Sequence, residues 1–440
     1  MKRYNALFNK EISKLLYLLL LTLSPLLIHA QQAITIDTLF NQLRLHPISK
    51  ADNIKILQAA AFKNMANSQL YPTVDLTGRY DYSSIPSSMY PLPPNELLPM
   101  VQDQKIAQPF SKNIYRAGVG ISMPLFVKSI FTIASQAQML QHSAEDQQYI
   151  NLLKNEAIIV SANANLIYIQ QLDSSLEKKK SSLLKTKEIV DIKVKNGRSP
   201  GSVSININNA INEIDILKND LALQREDLIA SIANLTGVTL TAAIPMIQTS
   251  TYTEGEIKAL DPLRKKIAAD KLAVKAEKEK LLPSLFLQGN YSSNFAKAYN
   301  NNKSINGDYT TVGVVLKVPI FSKNQYAQIN RSKLDVEASQ NELDRMTIEF
   351  AVQAKQLENT LHLLENSTQL YTNSIKDKEE LLAIATVSYS LDQMTIDDYL
   401  KYEDDVVLEK TKLYKTQSQA WQTLMKLAVI YGNDIQNLVK

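Results

Sequence analysis

The chain has 440 residues, with 48 Lys and Arg against 44 Asp and Glu, a formal charge of +4, and no cysteine. Four basic residues (Lys2, Arg3, Lys10, Lys14) and one acid (Glu11) lie in the first thirty, so beyond residue 30 the excess falls to +1 and nucleic acid is not an implied partner. Without cysteine there is no disulfide framework and no lipid-bearing N-terminal Cys, so an exported chain of this kind must draw stability from long helices or from assembly.

Residues 1–30 read as a secretory signal peptide. A basic start precedes an apolar run of fourteen residues, 15–28, and Ile28-His29-Ala30 before Gln31 fits a cleavage site. Fourteen residues are too few to span a bilayer as a helix, and no longer apolar run follows. If the mature chain enters a membrane, it must do so as β-strands closed into a barrel.

A helix is expected over residues 47–70, entered at His46-Pro47, although His46 is a poor cap. Four segments then alternate with period two, at about 73–82, 115–124, 284–292 and 310–319. In the first, Val74, Leu76, Tyr80 and Tyr82 oppose Thr73, Asp75, Thr77, Arg79 and Asp81. In the second, Val119, Ile121 and Met123 oppose Gly118, Gly120 and Ser122. Ten such residues at ~3.4 Å each, tilted by about 45°, rise roughly 24 Å, the height of a barrel's lipid-facing band. The same alternation fits a soluble sheet with one face on a core. The strands pair through polar connections, residues 83–112 and 294–308, which suit an outer rim.

The rest reads as helix. Residues 129–196 contain neither Pro nor Gly, which allows about 100 Å of continuous helix, and residues 324–392 repeat this. A turn at Asn196, Gly197, Pro200 and Gly201 leads to a return helix of about 50 Å with a heptad stripe of Ile207, Ile214, Leu221, Leu228 and Leu235. The second return helix carries two stripes, one through Tyr399, Val406 and Leu413 and one through Leu400, Val407 and Tyr414, and so needs partners on two sides. An ordinary antiparallel coiled coil would satisfy the periodicity equally. Residues 238–261 form a mixed linker. A helix over 262–282, with Asp261 as N-cap and Pro262 in its first turn, then leads to the third strand. Each half is expected to run one long helix down and two stacked shorter helices up.

The halves repeat one another. Pro72, Leu76, Gly78 and Tyr80 recur as Pro283, Leu287, Gly289 and Tyr291, an offset of 211. Gly118, Pro124, Phe126 and Gly237 recur as Gly313, Pro319, Phe321 and Gly432, an offset of 195. The organisation expected is therefore a signal at 1–30, a first repeat at 31–237 (helical hairpin 129–237), an equatorial linker at 238–261, and a second repeat at 262–440 (hairpin 324–432 and a short tail). Four strands cannot close a barrel, since about eight is the smallest number with a filled interior. Three copies would give a trimeric 12-stranded β-barrel continuous with a long α-helical periplasmic barrel, a mainly α fold with membrane β.

With its signal, duplicated strand–strand–helical-hairpin unit, Leu-Pro entry to odd strands and Pro-Leu/Ile-Phe exit from even ones, the chain resembles the TolC-type outer-membrane efflux factors over residues 31–440. The resemblance implies a homotrimer in outer-membrane lipid that reaches into the periplasm. There it would dock a periplasmic adaptor (membrane fusion) protein and an inner-membrane pump and give efflux or secretion substrates an exit. It also implies adaptor-docking tips at Gly197, Pro200 and Gly201 and at Met394 and Thr395, and a periplasmic gate at Asp397, Asp398 and Lys401. Two departures stand out. Val127-Lys128-Ser129 and Ser322-Lys323-Asn324 replace the Gly-Gly-Arg-like turn that often follows the even strands. At the second tip, Asp398 matches the first carboxylate of the family's Thr-Ile-x-Asp-x-Leu-Asp, but Lys401 stands at the second, so one acidic ring is expected rather than two.

No catalytic constellation emerges. The histidines, His29, His46, His142 and His362, are scattered without metal-ligand spacing, and no phosphate loop or nucleophile elbow occurs, so neither enzyme activity nor cofactor nor metal is expected. Lys178-Lys179-Lys180 reads as a solvated helix face. The alternative is a periplasmic adaptor or helical scaffold, which would carry one hairpin splitting a small β-domain rather than two matched ones.

Overall fold

The computed structural model describes residues 34–391 and 393–440, so the expected signal peptide lies outside the described residues. The elements in order are α1 (Ile36–Leu45), α2 (Pro47–Ser68), β1 (Thr73–Ser88), α3 (Pro94–Gln102), β2 (Phe110–Phe126), α4 (Lys128–Lys195), α5 (Gly201–Thr236), α6 (Asp261–Glu279), β3 (Ser284–Lys297), β4 (Ser304–Lys317), α7 (Lys323–Ser390) and α8 (Ile396–Tyr431). The long helices α4 and α7 have 68 residues each, and the return helices α5 and α8 have 36 each. Both return helices end on a glycine in the left-handed region, Gly237 at φ +72° and Gly432 at φ +66°, where a side chain would be strained.

The four strands form one antiparallel sheet in chain order, β1-β2-β3-β4, leaving β1 and β4 as open edges. They extend past the alternating segments towards the rim. The extra residues, such as Ser87, Ser88, Asn306 and Gly307, carry no apolar phase, which is why the pattern missed them. The register assigns each residue to a face. Val74, Leu76 and Tyr80 share one with Ile121, Val119, Tyr115, Tyr291, Phe295 and Val312; Asp75, Thr77 and Arg79 share the other with Gly120, Gly118, Arg116, Ser292, Asn290 and Thr311. One face is apolar and aromatic, the other polar. No described helix is long and apolar enough to cross a membrane.

The helices form a layer built on α4. Near the sheet α4 packs between α2 and α6; further along it packs between α5 and α8, and α7 closes the row against α6 and then α8. Side-chain ties fix this order: Asn53 with Gln148 for α2, Lys265 with Asp146 for α6, Lys180 with Asp215 for α5, and Ser418 with Asn165 for α8. This corrects the expected path. The ascending chain does not continue as α6 on top of α5. It crosses α4, so that α5 lies in line with α2 and α6 in line with α8.

The crossing is pinned at one residue. Asn163 is fully buried; its Nδ2 donates to the Ile244 carbonyl at 2.7 Å, and its Oδ1 accepts from the Ile244 N–H at 2.9 Å. The linker then pairs with the C-terminal tail through Ile247 and Lys440 and through Thr249 and Leu438. The largest core sits at this level, with Phe40 and Leu43 of α1, Leu153 and Val160 of α4, Ile232 of α5, Leu427 of α8 and Val439 of the tail. Glu156 is buried there, 2.8 Å from the Gln436 amide, and burial raises its pKa to about 7. At the head of α6 the side-chain cap expected from Asp261 is absent. The helix starts at Asp261 itself, whose carboxylate bonds Arg264 at 2.9 Å.

Candidate functional site: the far end of the helical hairpins

The two hairpin tips are built differently. Asn196 ends α4, the Gly197 N–H reaches the Val194 carbonyl at 3.0 Å, and the Arg198 N–H reaches that of Lys193 at 2.8 Å. This reversal requires the left-handed φ of +70° at Gly197, which glycine takes without strain. Pro200 precedes the first residue of α5, where its fixed φ suits the entry, and Gly201 opens the helix. Gly197, Pro200 and Gly201 are all exposed, and a Cβ on either glycine would meet nothing within 4 Å.

The second tip is a threonine N-cap. Thr395 Oγ1 accepts from the Asp398 N–H at 3.2 Å and donates to Asp398 Oδ2 at 2.7 Å. Lys401 Nζ stands 3.1 Å from Asp398 Oδ1. The Thr395 hydroxyl, and then the Lys401 ammonium, hold the Asp398 carboxyl below its ordinary pKa. Asp397, Asp398 and Lys401 are exposed and Met394 is half-buried. So Asp398 and Lys401, adjacent in the expected gate, form a pair within one chain, and Asp398 has a local role in holding the Thr395 hydroxyl that caps α8.

Behind this tip lies a cluster that sequence reading missed. Tyr399 stacks on Tyr389 at 5.1 Å between ring centroids, and Lys193 Nζ lies 5.8 Å from the Tyr389 ring centre. The Tyr399 hydroxyl donates to Glu403 Oε1 at 2.8 Å, and Ser182 of α4 donates to the same oxygen. Burial first, together with Glu403, pushes the Tyr399 hydroxyl pKa up. Lys179 pairs with Asp404 and Lys180 with Asp215 at 2.5 Å. The lysine run is therefore not a plain solvated face: it ties α4 to α8 on one side and to α5 on the other, and burial lowers the Lys179 pKa. The available signal was Tyr399 and Glu403 four apart on one helix face, with a half-buried α4 to receive them.

Among the described residues no group of His, Cys, Asp or Glu is placed to hold a metal ion. The sequence matches no family model and no curated protein. Solved structures match over nearly the whole chain. The outer membrane protein VceC of Vibrio cholerae is 14% identical at a TM-score of 0.72, covering 90% of this chain and 96% of that one. The CmeC outer membrane channel of Campylobacter jejuni is 15% identical at 0.72, covering 90% and 85%. The MtrE outer membrane channel of Neisseria gonorrhoeae, solved in an open state, is 13% identical at 0.70, covering 90% and 88%. A mostly helical chain with one small sheet thus has the fold of these outer-membrane channels, the fold that its resemblance to the TolC-type efflux factors implies.

Proposed function

We propose that three copies of this chain form an outer-membrane channel-tunnel that gives the substrates of a tripartite pump an exit. The observation that carries this reading is the sheet. It has two open edges, an apolar aromatic face and a polar face, and Leu76 on the edge strand β1 is 84% exposed. An open edge and a bare apolar face together are a liability in water and are intolerable half-paired in lipid. Closure by two further copies removes both, giving twelve strands with the apolar face to lipid and the polar face to a lumen. The strands of 14–17 residues, tilted by about 45°, exceed the lipid-facing band and stand proud of it at the rim.

The helices support the same assembly. Across most of its length α7 packs only on α6 and α8, so Leu334, Ile348, Val352, Leu363 and Leu370 stay exposed along the outer edge of the row. At the opposite edge Ile54 and Leu57 of α2 and Ile205, Ile216 and Leu223 of α5 are bare. Joining these edges around a threefold axis gives a tube of twelve columns below the barrel. The matched lengths of α4 with α7 and of α5 with α8, and the recurring 195-residue offset, support a duplicated unit comprising 31–237 and 262–440 with 238–261 as the equatorial linker.

In this reading the hairpin tips meet a periplasmic adaptor, and the contacts of Tyr399 and Glu403 with Ser182 hold the α7–α8 hairpin against α4 until docking draws it away. The test of the whole is the size and place of the mature protein. A trimer of about 140 kDa of protein extracted from the outer membrane is expected. A soluble periplasmic monomer would end the reading and favour the helical scaffold.

The single acidic ring is tested separately. Asp398→Asn keeps a hydrogen-bonding side chain beside Thr395 but removes the charge, and it is expected to weaken divalent-cation block and cation selectivity in bilayer recordings. Unchanged block and selectivity would leave Asp398 a partner of the Thr395 cap and nothing more.

A further inference from the structure

We propose that the connection between β1 and β2 is a strap tied across the lumen side of the sheet, and that it sets the size limit of the channel's outer mouth. This rests on the barrel reading above, which makes the polar face the lumen.

The register locates the strap. Ile114, Ala296 and Ile305 lie opposite one another in one row; Arg116, Asn294 and Gly307 form the next row on the same face. That is the polar face, shared with Thr77, Ser292 and Thr311. A polar face in a water-filled lumen can be hydrated and needs no protein cover. Yet here it is covered. Met89, the first residue beyond β1, is fully buried with Ile114 against Ala296. The Tyr90 ring occupies the space into which a Cβ on Gly307 would project, so only glycine lets the ring lie flat on β4.

Arg116 is the knot. Its Nη1 donates to the Met89 carbonyl at 2.6 Å and to Asn294 Oδ1 at 3.0 Å, and its Nε lies 2.9 Å from Asp81 Oδ2. The fork of one guanidinium thus joins strap, β1 and β3, which a lysine could not do. Asp81 also pairs with Arg79 at 2.5 Å, so one carboxylate holds two arginines that face each other across β1 and β2. The far end of the connection is tied too. Asn300 donates to the Ile106 carbonyl at 2.8 Å and Asn301 to that of Lys105 at 3.1 Å. Fixed at both ends, the segment cannot swing outward without breaking the part-buried, charge-assisted bonds of Arg116 at one end or the asparagine bonds at the other. Three copies would place three straps inside the outer end of the barrel, with an excess of one positive charge each from Arg79, Arg116 and Asp81. The outer mouth is then narrower than the sheet alone would leave it.

The test is single-channel conductance of purified trimer in planar bilayers. Arg116→Ala is expected to raise conductance roughly twofold and to admit larger hydrophilic solutes through the outer membrane. The double variant Tyr90→Cys with Gly307→Cys has no native thiol to compete with it. Oxidised, it should lock the strap and hold conductance at or below the wild-type level; reduced, with the ring gone, it should conduct more. If Arg116→Ala lowers the yield of trimer, the oxidised and reduced forms of the pair still decide the matter. Conductance insensitive to Arg116→Ala and to the redox state of the pair, or a pair that does not oxidise, would overturn the strap. A wild-type protein that makes no pore would instead overturn the barrel reading on which it stands.

Discussion

A chain carrying Tyr80→Cys and Val314→Cys is expected to oxidise into covalent trimers. Within one chain β2 pairs with β3 so that Val119 lies opposite Tyr291 and Gly118 opposite Ser292. The repeat relates β2 to β4 by 195 residues and β3 to β1 by 211. If the contact between copies reuses the pairing inside one copy, β4 meets the neighbour's β1 with Val314 opposite Tyr80 and Gly313 opposite Asp81. Directly opposed residues in an antiparallel pair stand about 4.5–5.5 Å apart at Cα, within disulfide range. The pair Tyr80→Cys with Val312→Cys is two residues out of step and is expected to cross-link poorly. If the slipped pair links better, the register between copies is not the register within one.

The glycines sharpen that expectation. A Cβ on Gly118 would stand 2.7 Å from the Tyr291 carbonyl oxygen, a backbone atom that cannot yield, whereas a Cβ on Gly313 meets nothing in its own chain. Gly118→Val should therefore break the sheet inside one chain. Gly313→Val should leave the helices folded and block assembly, because by the repeat the neighbour's Tyr80 carbonyl comes up against it. Circular dichroism together with mass in detergent separates the two outcomes, and a Gly313→Val trimer as abundant as wild type would count against the interface.

Gly201→Arg is expected to abolish efflux, to the level of a strain lacking the channel, while the amount of trimer in the outer membrane stays unchanged. Gly201 is a clean place to ask whether the tip docks an adaptor. Its φ is not in the left-handed region, and nothing stands within 4 Å of the Cβ position, so arginine there folds without strain. Gly197 is not clean. Its φ of +70° closes α4, and a side chain there would cost roughly 1–2 kcal/mol in local strain before any partner is considered. Unimpaired efflux in cells carrying Gly201→Arg would show that docking lies elsewhere.

How far the sequence carried can be read at particular residues. The length of α4 was legible because residues 129–195 contain neither proline nor glycine and Gly197 and Pro200 follow at once; the end of α7 at Ser390 carries no such mark, since residues 391–395 lack both as well. The strands were legible only where one face is apolar; at the rim, where Ser88, Asn294 and Gly307 serve strap and turn, alternation fades and the strands were read short. The tip stretch Thr395-Ile396-Asp397-Asp398 was visible as a motif. The bond from Ser182 to Glu403 was not, because the two stand 221 residues apart and neither is unusual in its own helix.

By itself, then, the sequence determined the parts: two pairs of strands, two long helices of equal length, two return helices, and the offsets of 211 and 195 at which their motifs recur. These depend on backbone preferences and on the period of apolar residues, which act over a few neighbours. Only the tertiary structure decided how the parts lie together. Asn163, 81 residues from Ile244, carries the chain across α4, so α6 aligns with α8 and not with α5. Arg116, 178 residues from Asn294, ties the strap onto the polar face. Such choices rest on a few hydrogen bonds between distant residues, buried at Asn163 and part-buried at Arg116, and no local pattern in the chain encodes them.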